Sequence, residues 1–148
     1  MAQHISIQTE DFDVAKEIAA LTGGRTDIGA VVTFTGFVRA DDGMTALVLE
    51  HYPAMTQREI EKHVADAQKR WPLTGVRVIH RVGTLKPGDN IVLVVTASSH
   101  RRAAFEAADF LMDYLKTQAP FWKQEERGGT RHWVEAKTSD DDAAKRWT

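Results

Sequence analysis

IVLVVTASSHRRAAFEAADFLMDYLKTQAPFWK, residues 91–123, is the stretch whose reading decides the fold. Ile91 to Ala97 is a short apolar run rich in β-branched residues, too short for a buried helix, and predicts a buried strand. Ser98 and Ser99 are good helix N-cap residues. Phe105, Ala108, Met112 and Leu115 then recur at helical spacing and predict one apolar stripe. Pro120 stops the helix and biases Ala119 toward extended geometry. Strand, turn, long helix and an aromatic, basic exit follow one another within these residues.

The cations on this element carry information. His100, Arg101 and Arg102 sit at the predicted helix N-terminus, where the macrodipole disfavours positive charge. Cations beside free N–H groups make a seat for a phosphate or carboxylate. Lys116 and Lys123 lie at the other end. Taken alone, Lys116 has a structural reading, since lysines commonly neutralise helix C-termini.

Working outward, His4 to Thr9 alternates and predicts a first strand. Asp11 to Leu21 predicts a short helix with Phe12, Ala15, Ile18 and Ala19 inward, ended by Gly23-Gly24. Ile28 to Arg39 is strand-like, with Gly29 and Gly36 marking a bulge or a close backbone approach. A turn over residues 40–43 and a returning strand from Met44 to Tyr52 make residues 28–52 a predicted hairpin, with Arg39 at its mouth. Thr56 and Glu59 read as a capping box before a helix whose stripe is Ile60, Val64, Ala67 and Trp71. His63 falls beside that stripe and reads as structural. Val76 to Val82 alternates as a strand, with Val76, Val78 and His80 on one face. Downstream, Gly128-Gly129 is a hairpin turn and Arg131 to Lys137 a strand. The tail, 139–148, is either a short helix with Trp147 docked or a partly disordered end. The order β-α-β-β-α-β-β-α-β-β predicts α+β, a mixed antiparallel sheet with hairpins and about three helices, not a doubly wound parallel sheet.

The chain has 148 residues, which fits one domain, 1–148, with a real core. Its net charge of −2 argues against a non-specific nucleic-acid binder. It contains no cysteine, which excludes disulfides, thiolate metal sites and a thiol nucleophile of its own. No apolar run is long enough to span a membrane, and MAQHISIQTEDF lacks a secretory pattern, so cytoplasm is expected.

Phosphate-loop, dinucleotide, zinc-protease and nucleophile-elbow motifs are all missing from the sequence. Scattered histidines without cysteine make a metal site unexpected, and no cofactor is expected. What remains is a set of cations without nearby acids: Arg39, His100, Arg101, Lys116 and Lys123. Gathered in one pocket, they would need an anion, and a phosphorylated small molecule is the natural candidate.

The segments VVTFTGFVR, LEHYPAMT, RWPL, VIHRVGTLKPGD, ASSHRRAAFEAADFLMDYLKTQAPFWK and WVEAK, in this order, resemble the large, catalytic subunit of molybdopterin synthase. The likeness runs from about Ala30 to Trp147. His100-Arg101 followed by MDYLKTQAPFWK is its most specific part. The resemblance implies an α/β-hammerhead fold and a homodimer. Each chain would dock a small ubiquitin-like sulfur carrier whose C-terminal Gly-Gly ends in a thiocarboxylate, giving a heterotetramer. The substrate would be cyclic pyranopterin monophosphate, receiving two sulfurs in succession to form the molybdopterin dithiolene. Carried over by position, Arg39, His100, Arg101, Lys116 and Lys123 form the anionic substrate pocket. Lys116 is the first choice for catalysis and Lys123 the second, while Phe37, Val38, Gln124 and Glu125 line the pocket. The family pattern often has lysine at position 37 and arginine at position 137, where this chain has Phe37 and Lys137.

Two other readings fit the residues. One is a non-catalytic module that binds a phosphorylated ligand or a ubiquitin-like partner. The other is a single-strand RNA binder stacking bases on Phe121 and Trp122, which the net charge disfavours.

Overall fold

The computed structural model describes residues 4–40, 43–134 and 138–148. In chain order the elements are β1 (Ile5–Gln8), α1 (Val14–Thr22), β2 (Ala30–Phe37), β3 (Met44–His51), α2 (Pro53–Arg70), β4 (Leu73–Arg81), β5 (Gly83–Leu85), β6 (Asn90–Ser98), α3 (Arg101–Thr117), β7 (Phe121–Arg127), β8 (Thr130–Trp133) and α4 (Thr138–Lys145). They form two four-stranded sheets, ordered β1-β4-β6-β2 and β5-β3-β7-β8. Among the described strands only the β1–β4 pair is parallel; the others run antiparallel. This is the expected α+β class, with β5 and α4 added to the predicted order.

β6 is the spine of the first sheet. Val92 and Val94 face a core shared with α2 and α3, while Leu93 and Val95 face a second core under Phe12 of the α1 segment. Burial on both faces explains why the run shows no polar alternation. α3 lies close on this sheet because Ala103, Ala104, Ala107 and Ala108 are all buried in its contact face. The buried Thr96 hydroxyl donates to Ala104 O at 2.6 Å and ties strand to helix.

Several local expectations need correction. Residues 28–52 do not form a hairpin: β2 pairs with β6, and β3 pairs with β5 and β7 in the other sheet. The end of β2 is tied instead to the turn before β6, with Val38 N–H donating to Asp89 O (2.8 Å) and Gly88 N–H to Val38 O (2.7 Å). The chain therefore changes sheets between β2 and β3, which places Arg39 at a junction. Gly29 does mark a close approach, since a Cβ there would collide with the Ser99 carbonyl oxygen.

Helix boundaries and faces shift as well. α2 opens with Pro53, a residue whose fixed φ suits the first helical position, so Thr56 is inside the helix, not its cap. Thr56 is buried and its hydroxyl points at Pro120 O, 3.4 Å away. His100, not Ser98 or Ser99, holds the N-cap position of α3, with no side-chain capping bond; Ser98 is still in β6 and its hydroxyl donates to Pro72 O. Phe105 is 61% exposed and stands off the buried face, which Phe110, Leu111 and Tyr114 fill instead. In α1 the inward residues are Val14, Ile18 and Leu21, while Ala15 and Ala19 are exposed.

The tail docks as a helix. Trp147 meets Trp71 and Phe110 edge-on at 5.7 and 5.6 Å, and its indole N–H donates to Asp113, which also pairs with Arg146 at 2.7 Å. The Gly128-Gly129 turn of the β7–β8 hairpin has φ of 55° and 80°, as the glycines suggested.

Candidate functional site

Where the two sheets meet, the chain leaves a cavity of about 530 Å³. Each element contributes its end. β2 brings Phe37 and the following Val38 and Arg39; the last turns of α3 bring Met112, Leu115 and Lys116; β7 brings Phe121, Trp122, Lys123 and Glu125. His80 of β4 and Ile91 and Val92 of β6 complete the inner wall, and Asp140 of α4 reaches the rim.

The charges converge from separate elements. Arg39 is exposed just past the sheet junction, and Lys116 is exposed in the last turn of α3. Lys123 is half-buried in β7, opposite Leu49 of β3. Two acids share the cavity, Glu125 and Asp140, so the cations are not the acid-free set the sequence suggested. Glu125 is held by Arg127 at 2.8 Å, which directs its carboxylate into an ion pair of its own. Three cations on one concave wall suit a phosphate or carboxylate ligand.

The predicted site residues fall into two groups. Phe37, Val38, Arg39, Lys116, Lys123 and Glu125 line the cavity. Phe37 is 59% exposed and forms an apolar rim. Gln124 is not among the lining residues, although Lys123 and Glu125 on either side of it are. His100 and Arg101 are exposed at the opposite end of α3. Lys137 lies outside the described residues.

One wall residue was not singled out from sequence. His80 is 6% exposed, with its ring stacked on Phe121 at 3.9 Å and 17° between planes. Its Nδ1 is 2.8 Å from Arg81 O. Burial pushes the imidazole down to about 4; Lys123, Lys116 and His51 push the same way, and the Arg81 carbonyl opposes them. The available signal was a titratable group on the Val76–Val78 face of an apolar strand. Beyond Phe121 lies His51, whose own imidazole is lowered by burial. At the rim, Tyr52 packs edge-on against Trp122 at 4.7 Å, and both are exposed.

Comparison with known proteins fits this geometry. Residues 7–118 match the family described as MoaE protein. This chain belongs to the MoaE family. The molybdopterin synthase catalytic subunit of Mesorhizobium japonicum is 61% identical over 150 residues, covering 99% of this chain and 94% of that protein. The solved molybdopterin biosynthesis MoaE protein of Burkholderia ambifaria superposes with a TM-score of 0.84 at 49% identity, covering 99% and 98% of the two chains. The crystal structure of molybdopterin synthase from Staphylococcus aureus gives a TM-score of 0.81 at 25% identity, covering 91% and 99%. The matched family region holds Arg39, His100, Arg101 and Lys116. Lys123 and the rest of β7 lie beyond it, within the part shared with the full-length MoaE relatives.

Proposed function

We infer that this chain is the catalytic subunit of a molybdopterin synthase, a sulfurtransferase. It would move two sulfurs, in succession, from a thiocarboxylated ubiquitin-like carrier to cyclic pyranopterin monophosphate, forming the dithiolene of molybdopterin. The observation that carries the reading is the cavity that gathers Arg39, Lys116 and Lys123 from three separate elements. The names of full-length relatives support it, and a catalytic subunit by name works with another subunit. The absence of cysteine is consistent with sulfur arriving on a partner.

Roles follow from the chemistry of the groups. Arg39 binds the substrate phosphate through a planar, permanently charged fork. Lys116, near the carrier's C-terminus, polarises the thiocarboxylate or gives a proton to a leaving oxygen. Lys123 adds positive charge from the strand side. His100 and Arg101 join the site from a second copy of the chain, so the working unit is a homodimer carrying two small subunits. The whole of 1–148 acts as one catalytic domain. No helix among the described residues is long and apolar enough to cross a membrane, and the cytoplasm is the proposed compartment.

The deciding experiment supplies the purified protein with thiocarboxylated carrier and the cyclic pterin and looks for dithiolene product. Product formation supports the enzyme. Binding of both partners with no product would favour a non-catalytic module built on the same cations.

A further inference from the structure

His80 sits on the wall of the cavity, yet sulfur transfer as described above assigns it no part. Its ring is held on two sides. A carbonyl oxygen only accepts, so the 2.8 Å contact with Arg81 O requires a proton on Nδ1. Nε2 is then the ring's lone pair. Phe121 stacks on the ring at 3.9 Å, so the imidazole cannot tilt without breaking that contact.

The register of β7 puts a donor on the same face as the residue stacked on that ring. Side chains two apart on a strand share a face, about 6.7 Å along the chain. Phe121, which covers the His80 ring, and Lys123 are such a pair, and both line the cavity with His80. A lysine ammonium has three donors and no acceptor; the Nε2 of this tautomer has an acceptor and no donor. We propose that His80 is a positioning residue, whose Nε2 accepts a hydrogen bond from the Lys123 ammonium and holds that charge over the anion cavity. The proposal rests on the sulfur-transfer reading for its consequence, but the contact itself does not.

The environment keeps the acceptor available. Burial disfavours the charged ring, and the charges that face it are Lys123 from β7, Lys116 from α3 and His51 from β3. A protonated His80 would lose its lone pair and repel both lysines. The neutral ring fixes Lys123 without adding a cation or neutralising one, so the full charge of the ammonium stays available to the substrate. A carboxylate at this position would fix the lysine equally well but would cancel that charge.

Two measurements test this. Ring ¹⁵N NMR of the full-length protein reads the tautomer and the Nε2 resonance. The Nδ1–H form is expected, with an Nε2 shift that moves, and a titration that rises, in Lys123→Met. An Nε2–H tautomer, or an Nε2 resonance indifferent to Lys123→Met, overturns the proposal. The second measurement is turnover with thiocarboxylated carrier and cyclic pyranopterin monophosphate. His80→Phe keeps a stacked ring and removes the acceptor, and should lower kcat about tenfold or more while carrier affinity holds. His80→Gln, which restores an acceptor near Nε2, should recover part of the loss. Wild-type kcat and pH profile in His80→Phe would contradict the role. Should His80→Phe fail to fold, His80→Gln against wild type and the NMR reading decide. If the wild-type protein makes no dithiolene, the sulfur-transfer reading fails, and the NMR measurement still decides the His80–Lys123 contact.

Discussion

Arg101 is the first residue of α3 and Lys116 the last but one, in one uninterrupted helix. Fifteen residues at 1.5 Å each separate them by roughly 22 Å, farther than one small pterin can span. If both serve one substrate, they must come from different chains. A two-fold pairing that sets the His100–Arg101 end of one helix against the Lys116 end of the other satisfies this. Mixing His100→Ala with Lys116→Ala tests it. A mixed dimer would hold one intact site and one lacking both residues. With random exchange about half the dimers are mixed, so roughly a quarter of all sites should recover activity. A flat zero after verified subunit exchange would overturn the shared site.

Arg39 and Lys116 line the same cavity but should fail in different ways. Arg39→Ala should weaken pterin binding by ~1.5–3 kcal/mol, the usual loss of a charge-assisted contact, and leave carrier docking nearly intact. Lys116→Ala should abolish turnover with fold and carrier binding preserved. Lys116→Arg should fail too, because arginine keeps the charge but cannot release a proton. Titration calorimetry and single-turnover product formation separate the two. A near-normal rate in Lys116→Ala would remove that residue from the mechanism.

How far the sequence carried the reading depends on what each element answers to. α3 and β6 were legible because their burial is periodic or continuous, and the Gly128-Gly129 turn because positive φ favours glycine. The hairpin over 28–52 was misread because local alternation cannot say which strand is the partner. The contacts that settle it, Val38 with Asp89 and Gly88, lie about fifty residues away in the chain. Phe105 fits a helical stripe on paper, yet it stands off the buried face of α3, which alanines share with Phe110, Leu111, Met112 and Tyr114. The site was half legible. Cations grouped at the ends of α3 pointed to an anion pocket, while Glu125 and Asp140 entered it only through folding. His80 looked like any strand residue until the cavity appeared beside it.

His80 also sets an acid limit on stability. Its folded-state imidazole lies at about 4, below the ordinary 6.5, mainly through burial. Between those values the unfolded chain binds the proton more readily, so stability rises with pH across this window. The contribution is complete above about pH 6.5 and is lost as pH falls toward 4. A shift of this size corresponds to about 3 kcal/mol. Urea midpoints measured from pH 7 down to pH 4 should fall accordingly, and His80→Phe should flatten that part of the curve. An identical slope in His80→Phe would show that another group carries the titration.

If the carrier's tail approaches Lys116 along β7, the pairing of that strand restricts how. β7 is bonded on one edge to β3 and on the other to β8, and Lys123 O accepts from Val134 N–H at 3.0 Å. From Lys123 to Arg127 both edges are occupied, so the tail cannot add to that part of β7 as a new strand. It has to lie across the face that Phe121, Lys123 and Glu125 turn toward the cavity, passing the exposed Tyr52–Trp122 pair at the rim. Photo-crosslinkers therefore should discriminate by position. Placed at 123 or 125 they should capture the last residues of the carrier, and at 122 a segment nearer its folded body. At 124, which does not line the cavity, capture should be weak. Equal capture at 123, 124 and 125 would mean that β7 leaves its sheet when the carrier binds. Capture confined to α2 would move the docking path to the other side of the molecule.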